Sequence, residues 1–328
     1  MSNRKWNLGL LLLFIVFACL LLQFVFSTLR IRELVRPLES GPQDGDRPRR
    51  IVLIPQELDN PYWRSIEQGA REAAREYGME LDYTGPFRIN PAEQSKLLEK
   101  AIAAKADAIL LQGIGDPQYR GLIDKAAGRG IPVIAVDTDE PESRRLAYVG
   151  TDNTEAGKRM GELVAQASGG SGTIGILIGS EAPNQRLRLE GFRSVIGRYP
   201  KLEIAEVRSS NISRLQAAEQ AAAMLSAQPQ TGYLVGFSAL DGPGMLEAAG
   251  RARPQGLRIF AFDDLPETTE GIRQCRLAAT IVQQPRQMGY EAVALLHDYF
   301  QGKTPQPQHY TDTSVLDRSA QGIGGSCP

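Results

Sequence analysis

A chain of 328 residues exceeds one average domain and is long enough for two. Hydrophobic residues at 42% and charged residues at 23% are an ordinary globular balance, which excludes wholesale disorder. Thirty-seven basic against 38 acidic side chains leave a net charge of −1, a poor footprint for a protein living on nucleic-acid phosphates; two histidines and three cysteines leave little for a zinc site or a His-based catalytic pair.

The first residues speak to the compartment. Arg4 and Lys5 precede residues 8–26, which are apolar except for Gly9 and Gln23. A helix over that stretch rises about 28 Å, close to the hydrocarbon thickness of a bilayer. A cleavable signal has a shorter apolar region and a small-residue exit site, which only Ser27 approaches. Cys19 follows Val16, Phe17 and Ala18, but Phe17 fits a lipoprotein box badly and the apolar run continues beyond the cysteine. An uncleaved single-pass anchor over 1–27 is therefore expected ahead of a processed signal. Arg30, Arg32 and Arg36 put positive charge on the far side too, so the charge rule orients the span weakly. With no second apolar span, the body is expected on one side, outside the cytoplasm at the cell surface or in the periplasm. Residues 28–49 read as a linker, rich in Gly, Pro, Asp and Arg toward its end.

From residue 51 onward, short apolar runs alternate with helical patterns, the signature of α/β lobes whose parallel sheets are covered by helices. The runs fall at 51–54, 81–83, 108–111, 133–136, 174–178, 204–207, 233–235, 259–262 and 278–282. Between them, Ile66, Ala70, Ala73 and Tyr77 form one helical stripe; Met160, Leu163, Val164 and Ala167 form another, and Met288, Ala292, Leu295, Leu296 and Tyr299 a third. Gly78, Gly130 and Gly250 stand where helices are expected to end, and Asn60-Pro61 resembles an N-cap followed by a first-turn proline. Nine strands are too many for one tidy open sheet, so two similar lobes are expected, divided near Asp152 and again near Gln283. The expected lobes are 50–151 with 284–312, and 152–283 with 313–328.

The residues just past the strands are the informative ones. Gln56, Gly113, Asp137, Ser238 and Asp263 come at or just after expected strand ends, where open α/β sheets bind ligands. Polar groups converging there from two lobes suit a neutral, hydroxyl-rich molecule. Enzymatic readings find little support. No P-loop is present, Gly236-Phe-Ser-Ala-Leu240 fails a G-x-S-x-G elbow at its last position, and Gly113-Ile-Gly115 lacks the third glycine of a dinucleotide fingerprint. A DNA-binding repressor would need a basic helix-turn-helix where residues 1–49 carry an apolar span.

Several blocks resemble the ribose-type periplasmic sugar-binding proteins: IVLIPQELDNPYW at 51–63, GIPVIAVD at 130–137, YVGTDN at 148–153, RLEGF at 188–192, IFAFD at 259–263 and LAATIVQQP at 277–285. They fall in that family's order and spacing over roughly residues 50–302. The resemblance implies a type I periplasmic binding protein fold, two Rossmann-like lobes joined by a three-crossover hinge that closes on a sugar. It places Asn60 at a ring-hydroxyl amide position, Tyr62 and Trp63 at the positions of aromatics that sandwich the sugar, and Asp137 at a carboxylate position. It also places Arg188 at a guanidinium position, Phe262 and Asp263 at an aromatic-acid pair, Gln283 at a hinge-side amide and Asp152 in the hinge. Thr138 follows Asp137 where the ribose binders carry Arg. Gly113 stands in for an amide, Ser238 for an Asn, and Ile212 for a pocket aromatic, so ribose itself is not carried across.

Each pick has a structural alternative. Asn60, Asp137 and Asp263 also fit helix caps, Tyr62 and Trp63 fit a core, and Arg188 fits an exposed helix charge. The implied ligand is a small neutral sugar, with no cofactor. The implied partner is an ABC transporter permease or a membrane sensor histidine kinase, reached through the anchor and without nucleic acid. Cys275 and Cys327 fit either a disulfide tying the tail to the second lobe or two free thiols.

Overall fold

Apolar side chains that alternate between the two faces of a strand, both faces being apolar, require helices on both sides of the sheet. The computed structural model describes residues 13–14, 17–18, 20–28, 30, 47–252 and 256–323. Met1–Pro48 and Arg49–Pro328 are separate units. In the first, residues 20–28 are helical, with Leu20, Leu22, Phe24 and Phe26 exposed. Among the described residues no helix is long and apolar enough to cross a membrane. Part of the expected span, Cys19 included, lies outside the described residues.

The second unit holds two six-stranded sheets. The first lobe runs β1 (Arg50–Ile54), α1 (Pro61–Glu76), β2 (Glu80–Tyr83), α2 (Pro91–Ala103), β3 (Ala108–Leu111), α3 (Pro117–Gly128), β4 (Val133–Val136) and β5 (Ala147–Gly150). The second runs α4 (Asn153–Ser168), β6 (Ser171–Ile178), α5 (Pro183–Ile196), β7 (Lys201–Ser209), α6 (Arg214–Ala227), β8 (Thr231–Gly236), α7 (Asp241–Ala252), β9 (Arg258–Phe262), α8 (Pro266–Arg273) and β10 (Ala279–Val282). The chain then returns through α9 (Pro285–Phe300) and β11 (Gln308–Tyr310) to the first sheet, and through β12 (Ser314–Leu316) to the second.

The strand orders, β11-β5-β4-β3-β1-β2 and β12-β10-β9-β8-β6-β7, are the same pattern used twice. Pairing is parallel except for β12, which runs antiparallel to β10. In the first lobe Ile51, Leu53, Leu110, Ile134 and Val149 face α1 and α9, while Val52, Ile54, Ile109, Leu111 and Val133 face α2 and α3. The second sheet is divided in the same way. Ile174, Ile176, Val235 and Phe260 face α4 and α5, and Leu177, Leu234 and Ile259 face the α6–α8 side.

Short strands β5, β11 and β12 are absent from the nine sequence runs. β5 is Ala-Tyr-Val-Gly, with one aliphatic β-former, and β11 and β12 have three residues each with exposed positions, so none makes a readable apolar run. α7 also continues past Gly250 to Ala252, because nothing there requires a left-handed residue.

Two helix pairs approach at backbone distance. A Cβ on Gly69 of α1 would lie 1.8 Å from Arg286 O of α9, and one on Gly289 would lie 1.9 Å from Ile66 O. In the second lobe, Gly157 of α4 would meet Arg188 O of α5 at 2.0 Å, and Gly191 would meet Thr154 O at 2.1 Å. Only glycine fits at either crossing.

Candidate functional site: the interlobe cleft

Asn60 accepts from Tyr62 N at 3.0 Å, and Pro61 begins α1, so the cap points the first turn at the cleft. Tyr62 and Trp63 come next on that turn, with rings edge-to-face at 6.5 Å. Trp63 lines the cleft and is also buried against the first lobe's core. Asn60 is likewise both cap and cleft wall. Neither Asp137 nor Asp263 is a helix cap: a strand comes after Asp137, and Leu265 caps α8.

The cleft between the lobes is narrow, with about 40 Å³ of free volume. Gln56, Asn60, Tyr62, Trp63, Asp137, Arg188, Ser238, Asp263 and Gln283 line it together. Three expected residues do not. Gly113 sits behind the wall, where its N–H donates to Thr138 O at 2.8 Å and a Cβ would meet Asp139 O. Thr138 is fully buried and donates to Asp137 Oδ2 at 3.0 Å. Phe262 is buried beneath the Arg188 guanidinium, 4.4 Å from ring centroid to carbon, a cation–π contact. Asp152 lies outside the cleft, at the passage from β5 to α4, where it caps α4 by accepting from Glu155 N.

Sequence reasoning missed Gln112, Ser180, Asn184 and Gln185, which also line the cleft. Gln112 precedes Gly113 by one residue and supplies the amide that Gly113 does not. Asn184 and Gln185 open α5 as Asn60 and Tyr62 open α1. The repeated strand order is the signal that would have found them.

Arg188 is the centre of the network. Only 2% exposed, it donates through Nε to Asn153 Oδ1, through Nη1 to Phe237 O and through Nη2 to Gln283 Oε1, each at 2.7 Å. Gln283 also accepts from Thr151 Oγ1 at 2.8 Å and donates to Asp263 Oδ1 at 3.1 Å. The Asp137 carboxylate receives Tyr62 Oη at 2.9 Å, Gln112 Nε2 at 3.3 Å and Asn184 Nδ2 at 3.1 Å. That last bond joins the two lobes directly.

Burial pushes both carboxyls up, and the Arg188 charge opposes the rise at each. Asp263 is left at about 7. Burial also holds the Tyr62 hydroxyl far above the usual phenol range, so it remains a donor. Two buried side-chain atoms on the wall, Gln112 Oε1 and Ser238 Oγ, have no hydrogen-bond partner. Among the described residues no cluster of three His, Cys, Asp or Glu is placed to hold a metal.

Residues 51–304 match the family model described as a periplasmic binding protein domain. The chain belongs to the periplasmic binding protein family. GanP, a glucose-galactose binding protein from Geobacillus stearothermophilus, is 39% identical, covers 84% of this chain and 99% of its own, and superposes with a TM-score of 0.81. XylFII, also solved as a XylFII–LytSN complex, is 35% identical in that complex over 83% of this chain and 99% of its own, with a TM-score of 0.79. The ribose import binding protein of Escherichia coli K12 is 22% identical over 81% of this chain and 90% of its own. These binding proteins share the two-lobed fold. Cys275 is disulfide-bonded, and the other two cysteines, Cys19 and Cys327, lie outside the described residues.

Proposed function

We propose that this periplasmic binding protein is an extracytoplasmic receptor that captures a neutral monosaccharide by hinge closure and delivers it to an ABC transporter. The observation that carries the reading is the pair of partnerless buried atoms, Gln112 Oε1 and Ser238 Oγ, on two residues that line the cleft. Buried polar groups left unpaired are costly, and hydroxyls of a ligand would pair them. One guanidinium set beside two carboxyls offers an anion no surplus of cationic side chains. The proposed contacts are Gln56, Asn60, Tyr62, Trp63, Asp137, Arg188, Ser238, Asp263 and Gln283, with Gln112 and Asn184 added and Asp152 in the hinge. The lobes are taken to divide at 151/152, 283/284 and 312/313. Residues 8–26 are proposed as the membrane anchor, supported by the exposed apolar side chains around Phe24.

A thermal-shift and calorimetry panel of aldoses tests the binding reading. At about 100 times Kd a bound sugar stabilises the fold by roughly 2.7 kcal/mol. No shift with any monosaccharide at millimolar levels, from a folded sample, would falsify it. A second reading, a sugar-sensing partner of a membrane sensor kinase, is favoured by the XylFII–LytSN complex at 35% identity. Neighbouring genes for a permease and ATPase support transport; genes for a histidine kinase and response regulator support sensing.

A further inference from the structure

The cleft's two walls differ in chemistry. The first lobe presents Gln56, Asn60, Gln112 and Asp137, while part of the second presents Ile212, Ser238 and Ala239. Ile212 and Ser238 come from different loops that one buried carboxylate ties together. Asp241 accepts from Ser210 Oγ at 2.6 Å and from Ser238 N at 2.8 Å. Beneath them, a Cβ on Gly179 would lie 2.8 Å from Ser238 Cβ and 3.0 Å from Ile212 Cγ1, so the three residues pack as one unit.

Two features of this unit bear on the cleft. Ile212 sits at φ +49 beside Asn211 at φ +50, in a tight turn closed by Ser213 N–H on Ser210 O at 3.0 Å and anchored by Ile212 N–H on Gly179 O at 2.8 Å, an uncommon place for a β-branched residue. The Ser238 hydroxyl is buried and makes no hydrogen bond of good geometry. Strain that holds an apolar side chain against the cleft, next to a hydroxyl with no partner, is a surface for a group with one apolar carbon and one hydroxyl. On a monosaccharide ring that group is the exocyclic hydroxymethyl.

We infer that Ile212 and Ser238 form a subsite for the hydroxymethyl group of an aldohexopyranose, with its methylene against Ile212 and its O6 hydrogen-bonded to Ser238 Oγ. The inference rests on the monosaccharide reading above and narrows it: hexopyranoses bind in preference to the pentopyranoses that match them at every ring position. A pentose leaves both the Ser238 hydroxyl and the Ile212 face unmet, and a site built around a ligand hydroxyl discriminates strongly against its absence.

Calorimetry with the purified protein tests it on two series: D-glucose, 6-deoxy-D-glucose and D-xylose, then D-galactose, D-fucose and L-arabinose. In whichever series binds, the wild type is expected to lose at least about tenfold in affinity from the hexose to its 6-deoxy form, and more to the pentose. Ser238→Ala should erase the difference between hexose and 6-deoxyhexose while leaving the pentose unchanged. Ile212→Gly, which also relaxes the left-handed backbone, should erase the step from 6-deoxyhexose to pentose without lowering the melting temperature. A pentose bound within threefold of its hexose, or a Ser238→Ala loss equal for both, overturns the subsite and leaves the sugar reading standing. Absence of binding by all six sugars overturns both.

Discussion

Asp137 and Asp263 occupy the same place in the two lobes, yet are held differently. Each comes directly after the fourth strand along its lobe, β4 or β9, at φ +66 and +64. Each donates its N–H to the next strand, to Val149 O or Ile281 O. Each carbonyl takes a hydroxyl from that strand, Tyr148 or Thr280. The backbone device is thus duplicated, and it aims both carboxylates at the cleft. Their surroundings are not duplicated. Asp137 is surrounded by Tyr62, Gln112, Thr138 and Asn184, whereas among the described residues the side-chain donor to Asp263 is Gln283. One carboxylate is well supplied with protein donors; the other has more acceptor capacity to spare.

The strongest way to break this comparison is to remove the cation acting on both. Arg188→Met keeps much of the volume but leaves two buried carboxyls, Gln283 Oε1 and Phe237 O without it. Urea unfolding should show a loss of about 3–5 kcal/mol, the scale for breaking a buried charged network, and sugar binding should vanish. Near-wild-type stability would mean that Arg188 is a passenger.

Asp137→Asn should cost about 1–3 kcal/mol, because an amide cannot accept from all of those donors and would turn its own NH2 toward some of them. Asp263→Asn should behave oppositely. Its folded carboxyl, at about 7, holds a proton that the unfolded chain sheds near pH 4, so the unliganded protein loses stability as pH rises across that window and does not regain it above. The asparagine variant should therefore be more stable than wild type at pH 8 and little different at pH 4. Sugar affinity of the wild type should rise from pH 5 to pH 8, with proton release on binding, since the ionised form accepts ligand hydroxyls. A flat affinity profile would place Asp263 outside the contact set.

The smallest effect expected is at the lobe-to-lobe bond. Asn184→Ala removes the donor to Asp137 and should cost about 1 kcal/mol of closure, or roughly fivefold in Kd. Small-angle scattering of the unliganded variant should show a larger radius of gyration. An unchanged radius together with unchanged affinity would show that the bond does not bias closure.

Much of this was legible in the chain. Apolar runs such as 51–54 and 133–136 declare buried parallel strands because both faces must be covered, and polar residues just past them declare the cleft. Arg188 was ambiguous, since a helix arginine is usually exposed; its burial is set only once α5 is docked on α4 at Gly157. Gln112 was hidden by one residue of register, as the strand end fixed the neighbourhood but not which of two adjacent side chains faces the ligand. Asp241 was unreadable, because the loops it ties are distant in sequence and meet only in the folded sheet.

The two glycine crossings bear on how motion travels. α4 and α9 begin directly after two of the passages between the sheets, and each is pressed backbone to backbone on a neighbouring helix of its lobe, α4 on α5 and α9 on α1. A joint turns cleanly only when the arms it connects are stiff. With side chains absent from the crossings there is little to compress or re-rotate, so rotation at the passages is handed to the lobes without slack. A small angular change at the cleft becomes a larger displacement at each lobe's far rim, in proportion to its distance from the pivot. Under the proposed closure on a ligand, the outer surface would be geared to the occupancy of a cavity it never touches.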